Sequence, residues 1–238
     1  MKKPKKITTK FFLNTLLNPV ELPGGDWGYP LYVQITFNRK NTQIKCFYGK
    51  YYSQLDQVSA TDPYLLPFEE RNFRKMMNFE VEKQGDLLDM VGLGKKYEKY
   101  CTSIHLLFSN YLKARLQSEI IRAEPKKFAE VLDYQKPKVD FFTILDAAIR
   151  LFDNVELIIS EDFQQEIEMY RLYCALYRAE LQARDYSFPT VIDWINGTHY
   201  EALGEKLAQH FGDGAHEPIG KMMQTINRIV FHKLESVS

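Results

Sequence analysis

Tyr29 to Tyr52 reads YPLYVQITFNRKNTQIKCFYGKYY, and this stretch decides how the rest of the chain is understood. Leu31, Val33, Ile35 and Phe37 alternate with Tyr32, Gln34 and Thr36, the two-residue period of a strand with one buried face. The polar run Asn38-Arg39-Lys40-Asn41 interrupts the pattern. Thr42 to Tyr48 then resumes it, with Ile44 and Cys46 on one side and Gln43, Lys45 and Phe47 on the other, so the spacing predicts a hairpin with a short polar turn. Upstream, Ile7 to Leu17 is rich in Thr, Phe and Leu, and LPGGDWG (Leu22 to Gly28) has the Gly and Pro needed to reverse the chain. Three antiparallel strands fit residues 7–49.

Charge is unevenly distributed around this hairpin. The first fifty residues carry nine basic side chains against Glu21 and Asp26, an excess of seven positive charges. The whole chain has 31 basic and 31 acidic residues, so the remainder carries an equal negative excess. A basic arm followed by a small sheet with a basic turn suits a nucleic-acid groove, where neutralised phosphates supply affinity. Surface hairpins also use Lys and Arg simply to shield their edges, the alternative reading of the same residues.

The run Pro30-Leu31-Tyr32-Val33-Gln34-Ile35-Thr36-Phe37-Asn38-Arg39-Lys40, preceded by a Phe-rich strand, resembles the N-terminal arm-type DNA-binding segment of tyrosine recombinases (integrases) from Bacteroidetes mobile elements. Gln34 stands where that family often has a basic residue. The resemblance implies DNA contact through the sheet and does not extend to recombination chemistry. That family's catalytic His and Arg lie in an H-x-x-R box, and none of His105, His199, His210, His216 and His232 is followed by Arg three residues on. On this reading Lys5, Lys6, Arg39, Lys40 and Lys45 contact phosphates, while Tyr32, Gln34 and Thr36 face a groove.

Beyond the hairpin, residues 53–67 lose periodicity and gain Ser, Asp and Pro, and are expected to be a linker. Helical spacing dominates from Phe68 to the end. Phe73, Met76, Met77 and Val81 mark one helix, and Tyr97, Cys101, Ile104, Phe108 and Tyr111 step along a long one ending near Ala123. Pro125 and Pro137 bracket a short helix over 126–132. Val139 to Phe152 is apolar almost all round, as a central core helix is. Ser160, followed by Glu161 and Asp162, offers an N-cap to a helix whose Phe163, Ile167, Tyr170, Cys174, Tyr177 and Leu181 form a seam. Short helices over 190–195 and from Thr198 onward precede a last one starting at Pro218. The expected fold is therefore α+β: a basic arm and antiparallel sheet over 1–52, a linker over 53–67 and a mainly helical domain over 68–238.

Chemistry-bearing clusters are sparse. His210-Phe211-Gly212-Asp213-Gly214-Ala215-His216-Glu217 gathers ligand types suited to zinc or iron, but lacks the i, i+4 pair of a helical metal site, and a polar interhelical loop is the expected reading. Gly92-x-Gly94-Lys95-Lys96 opens a helix without the full phosphate-loop spacing. Cys101 and His105 lie one helical turn apart with no orienting acid beside them. No cofactor is called for. The three cysteines, Cys46, Cys101 and Cys174, are scattered in apolar surroundings, so reduced thiols and a cytoplasmic location are expected. No apolar run is long enough to span a bilayer. The preferred expectation is a non-catalytic DNA-binding accessory protein of a mobile element or bacterial defence system. The alternatives are a helical module that docks a protein partner or a second copy, and a metal-dependent enzyme around His210 and His216.

Overall fold

In the computed structural model the chain is described at residues 6–123, 139–152, 158–182, 188–212 and 216–235. Five antiparallel strands open it and ten helices follow among these residues, an α+β architecture. Strand β3 (Trp27–Phe37) is the spine of the sheet, since every other strand pairs with it. β1 (Thr8–Leu13) pairs with it in the register Thr8 to Thr36 through Leu13 to Leu31. β4 (Lys40–Lys45) pairs in the register Phe37 to Lys40 through Tyr32 to Lys45. The two-residue strands β2 (Val20–Glu21) and β5 (Tyr51–Tyr52) extend its N-terminal half.

The polar turn is tighter than the sequence suggests. Only Asn38 and Arg39 form the loop, with φ of 52° and 64°, while Lys40 and Asn41 already belong to the ladder. Two positive φ values in a two-residue loop are the type I′ pattern, whose twist matches that of the flanking strands. Asn tolerates this conformation well; Arg does not.

The contacts divide the chain into two compact units: Met1–Thr102 with Ala179–His199, and Ser103–Arg178 with Tyr200–Ser238. The first contains the sheet and helices α1 (Asp56–Thr61), α2 (Leu65–Gln84), α3 (Leu93–Cys101) and α8 (Val191–Ile195). Residues 53–67 are thus not a plain linker, for they carry α1 and the start of α2. A sheet with one apolar face needs a cover, and α3 supplies it by packing on β4, while α2 and α8 pack on α3. Phe73 of α2 stacks on Tyr97 of α3 with ring centroids 3.7 Å apart and planes inclined by 10°.

Glu69 of α2 lies fully buried in this core. Its carboxylate accepts the Tyr48 backbone amide at 2.8 Å, just after β4, and the Tyr97 hydroxyl, so it ties the sheet to both helices. Burial raises its carboxyl from the usual 4.5 to about 7, against the lowering effect of those hydrogen bonds.

The second unit is helical. α4 (Ile104–Ala123) is its axis, packed against α5 (Phe141–Leu151), α6 (Glu161–Leu176) and α10 (His216–Glu235). The division in sequence falls within the remaining helices, α7 (Arg178–Gln182) and α9 (Thr198–Phe211). The stripe that reads as one long helix to Ala123 is two helices, α3 and α4. Thr102 is extended at ψ 128°, and the Ser103 hydroxyl accepts the Leu106 amide at 3.1 Å, capping the new start. Asp140 caps α5 through the Phe142 and Thr143 amides. Ser160 precedes α6 in extended conformation without a side-chain cap, and its hydroxyl donates to Glu119 at 3.0 Å. The helix expected over 126–132 lies outside the described residues.

Candidate nucleic-acid interface

Directly paired residues of antiparallel strands share a face, so the registers of β1, β3 and β4 assemble two distinct surfaces. Leu31, Val33, Ile35, Phe37 and Ile44 form the buried one. The other is a three-by-three array, with rows Thr8-Thr36-Asn41, Lys10-Gln34-Gln43 and Phe12-Tyr32-Lys45 running across β1, β3 and β4. None of the nine side chains is a carboxylate. The outer positions Thr8, Lys10, Asn41, Gln43 and Lys45 are exposed, and the central Tyr32, Gln34 and Thr36 are half-buried between them. Phe12 and Tyr32 lean together at one end with ring centroids 6.1 Å apart.

Tyr32, Gln34 and Thr36 therefore project together from the face opposite the core, as the alternation requires. Lys45 closes one corner of that face and has its ammonium 5.7 Å from the Tyr51 ring centroid. Arg39 and Lys40 are exposed at the hairpin end, and Lys6 is exposed just ahead of β1. Lys5 lies outside the described residues. Sequence reasoning missed Thr8, Lys10, Phe12, Asn41 and Gln43 as members of the array. Their alternation was readable, but the register that sets them beside Gln34, Tyr32 and Thr36 was not. Among the described residues, no ion pair engages Lys6, Lys10, Arg39, Lys40 or Lys45.

The electrostatic consequence is a cationic rim around a neutral, hydrogen-bonding centre. Gln34 and Gln43, paired across the strands, present amide groups able to donate and accept. The outer strands of such a sheet lie about 10 Å apart, near the roughly 12 Å width of the B-DNA major groove.

Other candidate chemistry is occupied by the protein itself. The Asp89 carboxylate accepts the Val91 and Gly92 amides at 3.0 and 3.2 Å at the start of α3, where a phosphate would compete. Lys96 is paired with buried Glu80. His105 bonds the Tyr170 hydroxyl at 2.9 Å, and burial lowers its pKa. Cys101 is fully buried, with its thiol pushed well above the usual range by burial. His199 is buried against Trp194, 5.6 Å between ring centroids. Among the described residues no group of three or more His, Cys, Asp and Glu side chains could hold a metal ion; residues 213–215 of the His210–Glu217 stretch are outside them. No described helix is long and apolar enough to cross a membrane.

No protein-family model matches the chain, and neither a curated protein nor a solved structure matches it.

Proposed function

We propose that the chain is a non-catalytic DNA-binding accessory protein, serving a mobile element or a bacterial defence system, that lays the open face of β1, β3 and β4 into a duplex groove. The observation that carries this reading is the carboxylate-free array with Lys10, Lys45, Arg39 and Lys40 around its edge. A hairpin whose lysines only shielded an edge would need no such cleared face. Lys6, Arg39, Lys40 and Lys45 neutralise phosphates and set the sheet's position, whereas Tyr32, Gln34 and Thr36 meet base edges or the sugar wall. Lys5 belongs to the same basic arm by sequence.

Fluorescence anisotropy with a labelled duplex, titrated at several salt concentrations, tests it. Each phosphate contact contributes about 0.9 to the slope of log affinity against log salt. Arg39→Ala with Lys40→Ala should lower that slope by about 2 and weaken all sequences alike, while Gln34→Ala should mainly flatten sequence preference. Binding unchanged in the double variant overturns the proposal.

A further inference from the structure

We propose that the slot between α6 and α10 binds a small amphipathic anion: an apolar alkyl or aryl body ending in a carboxylate or phosphate. α6 and α10 each pack on α4, and two adjoining cavities open between them, of about 650 and 400 Å³. Both volumes are in the range of small-molecule sites. Gln165, Met169 and Lys221 line both cavities, so the two are halves of one slot.

The halves differ in chemistry. In the smaller one, Asp162, Gln165, Glu166 and Met169 of α6 face Lys221, Gln224, Thr225 and Arg228 of α10. Each set follows the i, i+3, i+4, i+7 spacing of a single helix stripe. Arg115 enters from α4. Glu166 is buried and holds both guanidiniums, Arg115 Nη1 at 2.9 Å and Arg228 Nη2 at 2.7 Å, with the Tyr111 hydroxyl donating to it at 2.8 Å. One carboxylate serving two guanidiniums fixes their direction and leaves further N–H groups on each for a ligand. Arg228 stays 59% exposed, within reach of an incoming head group.

The larger half is apolar, walled by Met169, Leu172, Phe211, Pro218 and Met222. Methionines give such a wall an adaptable shape. Its three carboxylates, Glu161, Glu168 and Glu217, lie on the exposed rim, where Glu168 is paired with Arg171 at 2.7 Å and Glu217 with Lys221 at 3.1 Å, so the discrimination between anion and cation rests on the two guanidiniums of the smaller half. A purely structural ion cluster would not need an apolar cavity beside it. An anionic head between Arg115 and Arg228, with its hydrocarbon along Met169 and Leu172, would use both halves.

The test is calorimetric titration of the full chain with decanoate and decyl phosphate below their micellar concentrations, beside decanol and decyltrimethylammonium. Saturable one-to-one binding of both anions is expected, at least tenfold tighter than the alcohol and the cation. Arg228→Gln should weaken both anions at least tenfold, and Gln165→Trp, which fills the junction from an exposed position, should remove binding. Circular dichroism of both variants confirms that they fold. Absence of saturable binding by the wild-type chain overturns the proposal, as does equal binding of decanol or anion affinity unchanged in Arg228→Gln.

Discussion

Replacing Glu69 by glutamine should remove most of a pH dependence of stability that the wild-type chain shows in mildly acidic solution. The buried carboxyl titrates near 7 in the folded chain, against an ordinary 4.5 that stands for the unfolded one. Between these values the folded state keeps the proton and the unfolded state releases it, so stability falls as pH rises. The interval is about 2.5 pH units at about 1.4 kcal/mol each, or about 3 kcal/mol in total, complete once pH exceeds the folded value. Glutamine can still accept the Tyr48 amide through Oε1, and the Tyr97 hydroxyl can rotate to accept from the new amino group. Urea denaturation of both proteins at half-unit steps from pH 4 to pH 8 gives the comparison. The stability of wild type minus that of Glu69→Gln should decline by about 3 kcal/mol from pH 4.5 to 7 and then level off. Parallel curves across that window would show that burial of this carboxylate costs far less than the geometry implies.

Arg39→Gly should raise Tm by about 2 °C, because glycine takes the positive φ of 64° without strain, and yet reduce the salt slope of DNA binding by about 1. A variant of lower Tm would contradict the turn assignment, read by differential scanning fluorimetry. Glu166→Ala should cost about 2 kcal/mol in urea denaturation, since it leaves the largely buried Arg115 with only the more distant Glu119, at 4.0 Å, as a counter-charge. The exposure of Arg228 keeps the loss below that of a wholly buried pair, and a change under about 0.5 kcal/mol would refute the anchoring role.

Local periodicity made β3 legible: the alternation from Leu31 to Phe37 fixes which side chains enter the core. It could not reveal the array, because β1 meets β3 in a register set by the intervening turn and by packing of the buried face. The break at Thr102 and Ser103 was hidden for another reason. Apolar spacing continues across it from Cys101 to Ile104, and the break is made by a serine cap and one extended residue. The box formed by Thr190 and Asp193 is a readable T-x-x-D pattern, with the Thr190 amide and hydroxyl both donating to Asp193. Its membership in the unit that holds the sheet was not readable, since nothing local reports a return over nearly a hundred residues. Arg115, Glu166 and Arg228 lie far apart in sequence, and no local pattern reports that the packing of α6 and α10 on α4 brings them together.

That return of α8 bears on how the protein can be made and taken apart. The N-terminal stretch leaves the ribosome long before Val191, Ile192 and Trp194, which end up buried in the same unit, have been translated. Expression of residues 1–102 alone should give a poorly behaved product, whereas joining residues 179–199 to its C-terminus through a flexible spacer would restore the missing wall. A deletion series for mapping DNA contacts should therefore keep both segments.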